Sequence, residues 1–206
     1  RHTRLVSDWS SDVCSCDRIT TLVDTLLLMA KLESDHRVAR QSVDVTALLA
    51  MICQKSLTAG DAPQAALHCE QEAALPPIEG DPVQLETALH HMIDNARRYT
   101  PADGAITVRA GRMERHIWIE ISDTGPGIAD DHLARIFETF WRQDTAHTTP
   151  GFGLGLPIAR KIIRMHGGDI DVTSILGQGS TFRVWLPIPS GAQPVTDPLR
   201  ERESSW

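Results

Sequence analysis

The sequence predicts a mixed α/β domain built around one core. Apolar residues recur at helical spacing in several stretches, two pairs of alternating segments end on turn residues, and 41% hydrophobic against 23% charged residues is the balance of a soluble globular chain. With 206 residues there is room for one well-buried domain and accessory segments.

Ile19, Leu22, Val23, Leu26 and Met29 share one face and predict an amphipathic helix over 17–33 that stops near Ser34-Asp35. The preceding stretch, SDWSSDVCSC, shows no period, so residues 1–16 read as an irregular arm or an artefactual extension. A second helix begins at Asp44, with Val45, Leu48, Leu49 and Ile52 on one face, and a short strand follows over Ala66–Glu72. Asp81-Pro82 starts a third helix: Asp can cap free amides, Pro suits the first turn, and Gln84 stands where a capping box would place it. That helix runs to Tyr99, before the breaker Thr100-Pro101-Ala102-Asp103-Gly104. Ile106/Val108 and Ile117/Ile119/Ile121 then form a hairpin around Gly111–Arg115 that ends at Asp123. A helix is expected around Asp131–Phe140, a mobile loop over Arg142–Pro150, and a helix over 156–166 closed by Gly167-Gly168. Ile170/Val172 and Phe182/Val184/Leu186 make a last hairpin around Gly177-Gln178-Gly179, and 190–206 reads as a frayed tail.

Composition also excludes. A formal charge of -7 argues against nucleic acid or anionic lipid as a partner, because both need a basic surface. Cys14, Cys16, Cys53 and Cys69 form no C-x-x-C pair, and a chain of this length needs no disulfide staple, so a reducing cytoplasm is expected. Leu26–Ala30, the longest apolar run, is far short of the roughly 20 residues that span a bilayer, and no signal peptide opens the chain.

Three places carry candidate chemistry. On the third helix His91, Asn95, Arg98 and Tyr99 make a polar stripe opposite Leu85, Leu89, Met92 and Ile93. Asn95 offers a neutral carbonyl of the kind Mg²⁺ accepts beside nucleotide oxygens, and Arg98 can neutralise phosphate. An ordinary solvated face would look the same. Asp123, at a strand end before Thr124-Gly125-Pro126-Gly127, could accept a hydrogen bond from an exocyclic amino group, or simply form the turn. Gly151, Gly153 and Gly155 precede a helix whose free amides could hold phosphate, although the spacing is neither Walker A nor the dinucleotide fingerprint.

In order, ALHHMIDNARRYTP, DTGPGI, IFETFWR, GFGLGLPIARKIIRMHGG and GQGSTFRVWLP resemble the asparagine, first glycine, phenylalanine and second glycine boxes of sensor histidine kinases, with their closing hairpin. DRITTLVDTLLLMAKLES resembles the second helix of the kinase's dimerisation hairpin, so the resemblance covers residues 17–188. It implies a two-layer α/β sandwich, a mixed sheet covered by helices on one face, with ATP under a lid. The divisions it implies are an arm at 1–16, a partial dimerisation hairpin at 17–40, the catalytic domain at 41–189 and a tail at 190–206. By motif match Asn95 is the Mg²⁺ ligand, Arg98 a phosphate contact and Tyr99 part of the nucleotide wall. Asp123 reads adenine beside Gly125, Gly127 and Ile128, and Thr181 lies near the adenine pocket. Arg142 reaches the phosphates from the lid, and Gly151, Gly153, Leu154, Gly155 and Leu156 form the phosphate-side loop.

The sequence departs from the pattern twice. His91 stands where the first Asn of the asparagine box usually falls; a neutral His there is a poor activator of water, so transfer is favoured over hydrolysis, and no residue is assigned as catalytic. None of the nine histidines is followed by the acidic-x-basic-x-Pro pattern of the phospho-acceptor. The resemblance therefore implies transfer of the ATP γ-phosphoryl to a histidine upstream of this chain and relay to an aspartate of a response-regulator receiver domain. It further implies a homodimer, with the domain in the cytoplasm and an upstream membrane anchor, and no autophosphorylation by this chain alone. Alternatives are a stand-alone ATPase or serine kinase of the superfamily and a non-catalytic nucleotide-binding module.

Overall fold

The structure, a computed structural model, describes residues 9–34, 38–58, 65–71, 75–143 and 151–189. Most of the expected lid and the whole expected tail lie outside them. The chain divides into two compact units, Arg1–Arg37 and Val38–Trp206.

The first unit holds one helix, α1 (Trp9–Ser34). It begins at Trp9, so the irregular arm expected up to residue 16 is already helical: no Gly or Pro interrupts residues 9–34, and extending a nucleated helix is easy. Ile19, Val23, Leu26 and Leu27 form an exposed stripe along it. None of the described helices is long and apolar enough to cross a membrane.

The second unit contains β1 (Gln41–Val43), α2 (Val45–Thr58), β2 (Ala66–Gln71), β3 (Ile78–Gly80), α3 (Pro82–Tyr99), β4 (Ala105–Met113), β5 (His116–Asp123), α4 (Asp130–Leu133), α5 (Gly155–Met165), β6 (Asp169–Ile175) and β7 (Gly179–Pro187). Five strands form one sheet in the order β2-β4-β5-β7-β6. β2 runs parallel to β4 and the remaining pairs are antiparallel, so the sheet is mixed. The short pair β1–β3 has too few residues for a period to be read from sequence.

Alternation sorts the strands' two faces. Ile106, Val108, Ile117, Ile119, Ile121, Ile170, Phe182, Val184 and Leu186 are buried, and with Leu85, Leu89, Met92 and Ile93 of α3 and Ile158, Ile162 and Ile163 of α5 they make the core. The opposite face is polar. Along one row the register aligns Glu70, Arg109, Glu120, Arg183 and Asp171, alternating in charge across all five strands. Arg109 Nε donates to Glu70 at 2.9 Å, Arg183 Nε to Glu120 at 3.1 Å, and Trp185 Nε1 to Asp171 at 2.7 Å.

Other sequence expectations change as well. The β4–β5 hairpin turns on Glu114-Arg115 alone, Glu114 at φ 53, so its strands run longer than expected. The helix expected over Asp131–Phe140 shrinks to α4; beyond it Arg135 and Glu138 donate to carbonyls three residues back, and Phe140, at φ 65, gives its amide to Gly153 O at 3.0 Å. Finally, Cys53 of α2 and Cys69 of β2 form a disulfide across a Cα–Cα distance of 6.7 Å, where no staple was expected. Packing of α2 beside β2 creates a proximity that spacing along the chain does not reveal.

Asp81 caps α3 by accepting from Val83 N and Gln84 N at 2.9 and 3.2 Å. The capping box does not close: Gln84 Oε1 is buried without a partner among the described residues, and the Asp81 amide donates instead to His166 Nε2 at 3.0 Å. His166, 3% exposed at the end of α5, has its Nδ1 2.8 Å from Ile162 O. A neutral ring with the proton on Nδ1 satisfies both contacts. Burial depresses this imidazole's pKa, outweighing the pull of the Ile162 carbonyl. An unfolded imidazole takes up a proton near pH 6.5, the folded one only at lower pH. Between the two the unfolded chain binds more protons, so stability is full above pH 6.5 and falls on acidification until the folded ring also titrates. His166→Leu, which has no acceptor, should cost about 1–3 kcal/mol above neutrality by orphaning the Asp81 amide, and should flatten part of the acid loss. Denaturant titrations across this pH range check both; His91, depressed in the same direction, accounts for a remainder.

Candidate functional site

α3 is the spine of the site. Its buried face is Leu85, Ala88, Leu89, Met92, Ile93 and Ala96, which turns His91, Asn95, Arg98 and Tyr99 away from the core. The glycines show what this stripe meets. A Cβ on Gly125 would stand 2.9 Å from Tyr99 O, one on Gly151 would fall 1.9 Å from Arg98 Nη1, and one on Gly155 would lie 3.5 Å from His91 Nδ1. The first glycine loop therefore meets the C-terminal end of the stripe and the α5 N-terminus meets the other end. Eight helical steps lead from His91 to Tyr99, a strip roughly 12 Å long.

At one end, Asp123 Oδ1 accepts from Gly125 N at 2.8 Å and Ser180 N at 3.3 Å. Its other oxygen has no hydrogen-bond partner among the described residues. Burial raises the carboxyl's pKa, and the two backbone donors oppose that rise. Backbone packs tightly here: a Cβ on Gly127 would meet Ile175 O at 2.2 Å and one on Gly179 would meet Asp123 O at 1.9 Å, both at positive φ. Ile128 is fixed through its amide, which donates to Ser174 Oγ at 2.8 Å.

The structure brings Ser180, not Thr181, beside Asp123. Thr181 Oγ1 pairs with Ser122 Oγ at 2.9 Å on the polar face of the sheet, whereas Ser180 is 6% exposed and lies 3.0 Å from Ser174 Oγ. Period-two alternation along β7 decides between the neighbours. Counting from buried Phe182 and Val184 would have found Ser180.

At the other end Leu154 precedes α5, whose first amides have no intrahelical acceptor and carry the positive end of the helix dipole. Leu154 is buried, while Gly155 and Leu156 are partly exposed at the helix start. Arg142 Nη1 donates to Gly151 O at 2.9 Å, so Arg98 and Arg142 both converge on Gly151. Arg160 of α5 lies 4.4 Å over the Phe137 ring and fastens the phenylalanine box to the same helix. His91 is held largely neutral by burial, against the pull of Asp94.

No three His, Cys, Asp or Glu side chains cluster as a metal cage among the described residues. The donor chemistry suits Mg²⁺ all the same. Mg²⁺ keeps several waters and takes the rest of its shell from substrate phosphate oxygens and a single protein oxygen, which the Asn95 carbonyl could supply.

Comparison with known proteins names the class. Residues 80–190 match the family described as histidine kinase-, DNA gyrase B-, and HSP90-like ATPase, and the chain belongs to that family. Among its relatives are the adaptive-response sensory kinase SasA of Synechococcus elongatus, 42% identical over 115 residues, 55% of this chain and 30% of that protein, and the phosphate regulon sensor protein PhoR of Pseudomonas aeruginosa, 35% identical over 170 residues, 80% of this chain and 38% of that one. The chain thus spans well under half of these relatives. Among solved structures, full-length ShkA in complex with AMPPNP superposes with a TM-score of 0.79 at 29% identity, over 94% of this chain and 42% of ShkA.

Gly125→Ala tests the packing at the first glycine turn, since the new Cβ would push on both Tyr99 O and, at 2.8 Å, Asp123 Oδ1. The expected result is a loss of ATP affinity of about tenfold or more, equivalent to about 1.4 kcal/mol, read as a shrunken ATP-induced rise in melting temperature.

Proposed function

We propose that this chain is the ATP-binding catalytic part of a sensor histidine kinase, which transfers the γ-phosphoryl of ATP to a histidine on a dimerisation hairpin. The carrying observation is the half-satisfied carboxylate of Asp123 at one end of a strip that finishes at the free amides of α5. A carboxylate accepts from an amino group and repels phosphate, whereas helix amides and arginines attract phosphate, so the strip has one sense for a nucleotide. Adenine lies at Asp123, Gly125 and Ser180, and the phosphates lie at Arg98, Gly151, Gly153 and Gly155. The complex of ShkA with AMPPNP supports an adenine nucleotide as the ligand.

Each residue has a positioning task, as phosphoryl transfer chiefly requires orientation and charge neutralisation. Asn95 would hold Mg²⁺, which supplies charge neutralisation at the β- and γ-phosphates when bound. Arg98 and Arg142 offset phosphate charge from two sides of Gly151. Tyr99 walls the nucleotide at the adenine end. His91 is held largely neutral and lies half-buried against the α5 start, so it fills space there without adding a cation and is a weak activator of water; transfer is favoured over hydrolysis. The receiving histidine and dimer contacts belong to a hairpin of which α1 supplies one helix. An aspartate of a response-regulator receiver domain accepts the phosphoryl afterwards. A cytoplasmic place for the domain and a membrane anchor upstream of it belong to the same reading.

Two measurements test this. In calorimetric titrations with magnesium, Asp123→Asn should weaken ATP about tenfold or more and GTP little, since the amide adds a donor facing the base's amino group; equal losses would remove Asp123 from base reading. With γ-labelled ATP, the chain alone should stay unlabelled, and an added dimerisation hairpin bearing a histidine in an acceptor context should gain acid-labile, alkali-stable label that Asn95→Asp abolishes. Steady hydrolysis without any histidine partner would favour a stand-alone ATPase instead.

A further inference from the structure

We infer that Cys53 and Cys69 form a reversible two-electron redox site, open to hydroperoxides and to small or protein dithiols, that fastens the edge strand β2 to α2. The two sulfurs differ in setting. Cys53 is 5% exposed inside α2, while Cys69 sits exposed on β2. A reagent therefore reaches the bond from one side.

The two backbones differ as well. α2 is anchored on α3: Lys55 Nζ lies 2.7 Å from Glu86 Oε1, and the Arg97 guanidinium donates to Ser56 O. β2 is an edge strand with β4 as its single neighbour in the sheet. Cys53 is thus the fixed wall and Cys69 the part that can come free. Cys69 pairs in register with buried Val108, which directs it to the helix-covered face, so closing the bond draws β2 onto α2. Opening it returns β2 to one hydrogen-bonded ladder and removes a cross-link between residues 16 apart in sequence, which constrains the unfolded chain.

The chemistry balances with a hydroperoxide as oxidant. The Cys69 thiolate attacks the peroxide, breaking O–O and forming S–O, which leaves a sulfenic acid and an alkoxide that leaves as alcohol, or as water when the oxidant is hydrogen peroxide. The Cys53 thiolate then attacks the sulfenic sulfur, S–S forms, and hydroxide departs as water. The protons released by the two thiols neutralise the two leaving groups, and the two electrons lost by sulfur reduce the peroxide. A dithiol reverses the state by exchange and is itself oxidised to a disulfide.

The test uses the whole chain, treated with hydrogen peroxide or with dithiothreitol and then alkylated without further reductant. Peptide mapping, which separates this pair from Cys14 and Cys16, should find Cys53 linked to Cys69 after peroxide and both alkylated after dithiothreitol. Amide exchange of Ala66–Gln71 should be at least about fivefold faster in the reduced protein, with β5 unchanged, and the melting temperature should fall by about 5–10 °C. Cys69→Ser should show the fast exchange whatever the oxidant. Should that variant fail to fold, the two states of the unaltered chain still decide. Alkylation of both cysteines after peroxide, a linked pair that dithiothreitol cannot open in the folded protein, or identical exchange of β2 in the two states would each overturn the inference.

Discussion

Everything in the site depends on α3 and α5 lying antiparallel on one face of the sheet. The apolar faces of the two helices and the inward residues of β4 to β7 bury one another, and burial of this kind is the main favourable contribution to the fold. At one end of the pair His166 joins them through the Asp81 amide and the Ile162 carbonyl. At the other, His91 comes against Gly155. The polar stripe of α3 and the N-terminus of α5 are therefore set by packing made elsewhere, and the nucleotide site can form on a support that needs no ligand to exist.

The electrostatics follow from the same geometry. A chain with a net charge of -7 holds an anion only where charge is concentrated locally. Arg98 and Arg142 meet at Gly151, four residues before α5, whose N-terminus carries the positive end of the helix dipole. Asp123 lies at the opposite end of the strip from the N-terminus of α5.

Much of this was legible in the sequence because it is local. The period of α3, its Asp81 cap, the alternation of the hairpins and the glycines before α5 depend on neighbours a few residues apart. Where the reading missed, a partner distant in sequence had intervened. Phe140 falls at helical spacing from Ile136, yet its amide goes to Gly153 and the helix stops at Leu133. Gln84 stands in the capping-box position, yet His166 takes the amide it would have accepted. Cys53 and Cys69 become neighbours only once α2 lies beside β2. Thr181 lies on the polar face of the sheet, and the alternation that sets its neighbour Ser180 beside Asp123 was already in view.

The charged row on the outer face of the sheet specifies strand alignment as well as solubility. Sliding β7 by one residue against β5 would turn its apolar side chains into solvent, which any half-buried sheet forbids. A slide by two keeps the apolar face inward, and burial alone does not prevent it. It would, however, set Glu120 opposite Thr181 or Trp185 and leave Arg183 opposite Trp118 or Ser122, breaking the Glu120–Arg183 ion pair. Opposite charges at matching heights on successive strands thus discriminate against the one family of misalignments that hydrophobic patterning tolerates, and they do so at the strand whose first residues carry Ser180 to Asp123.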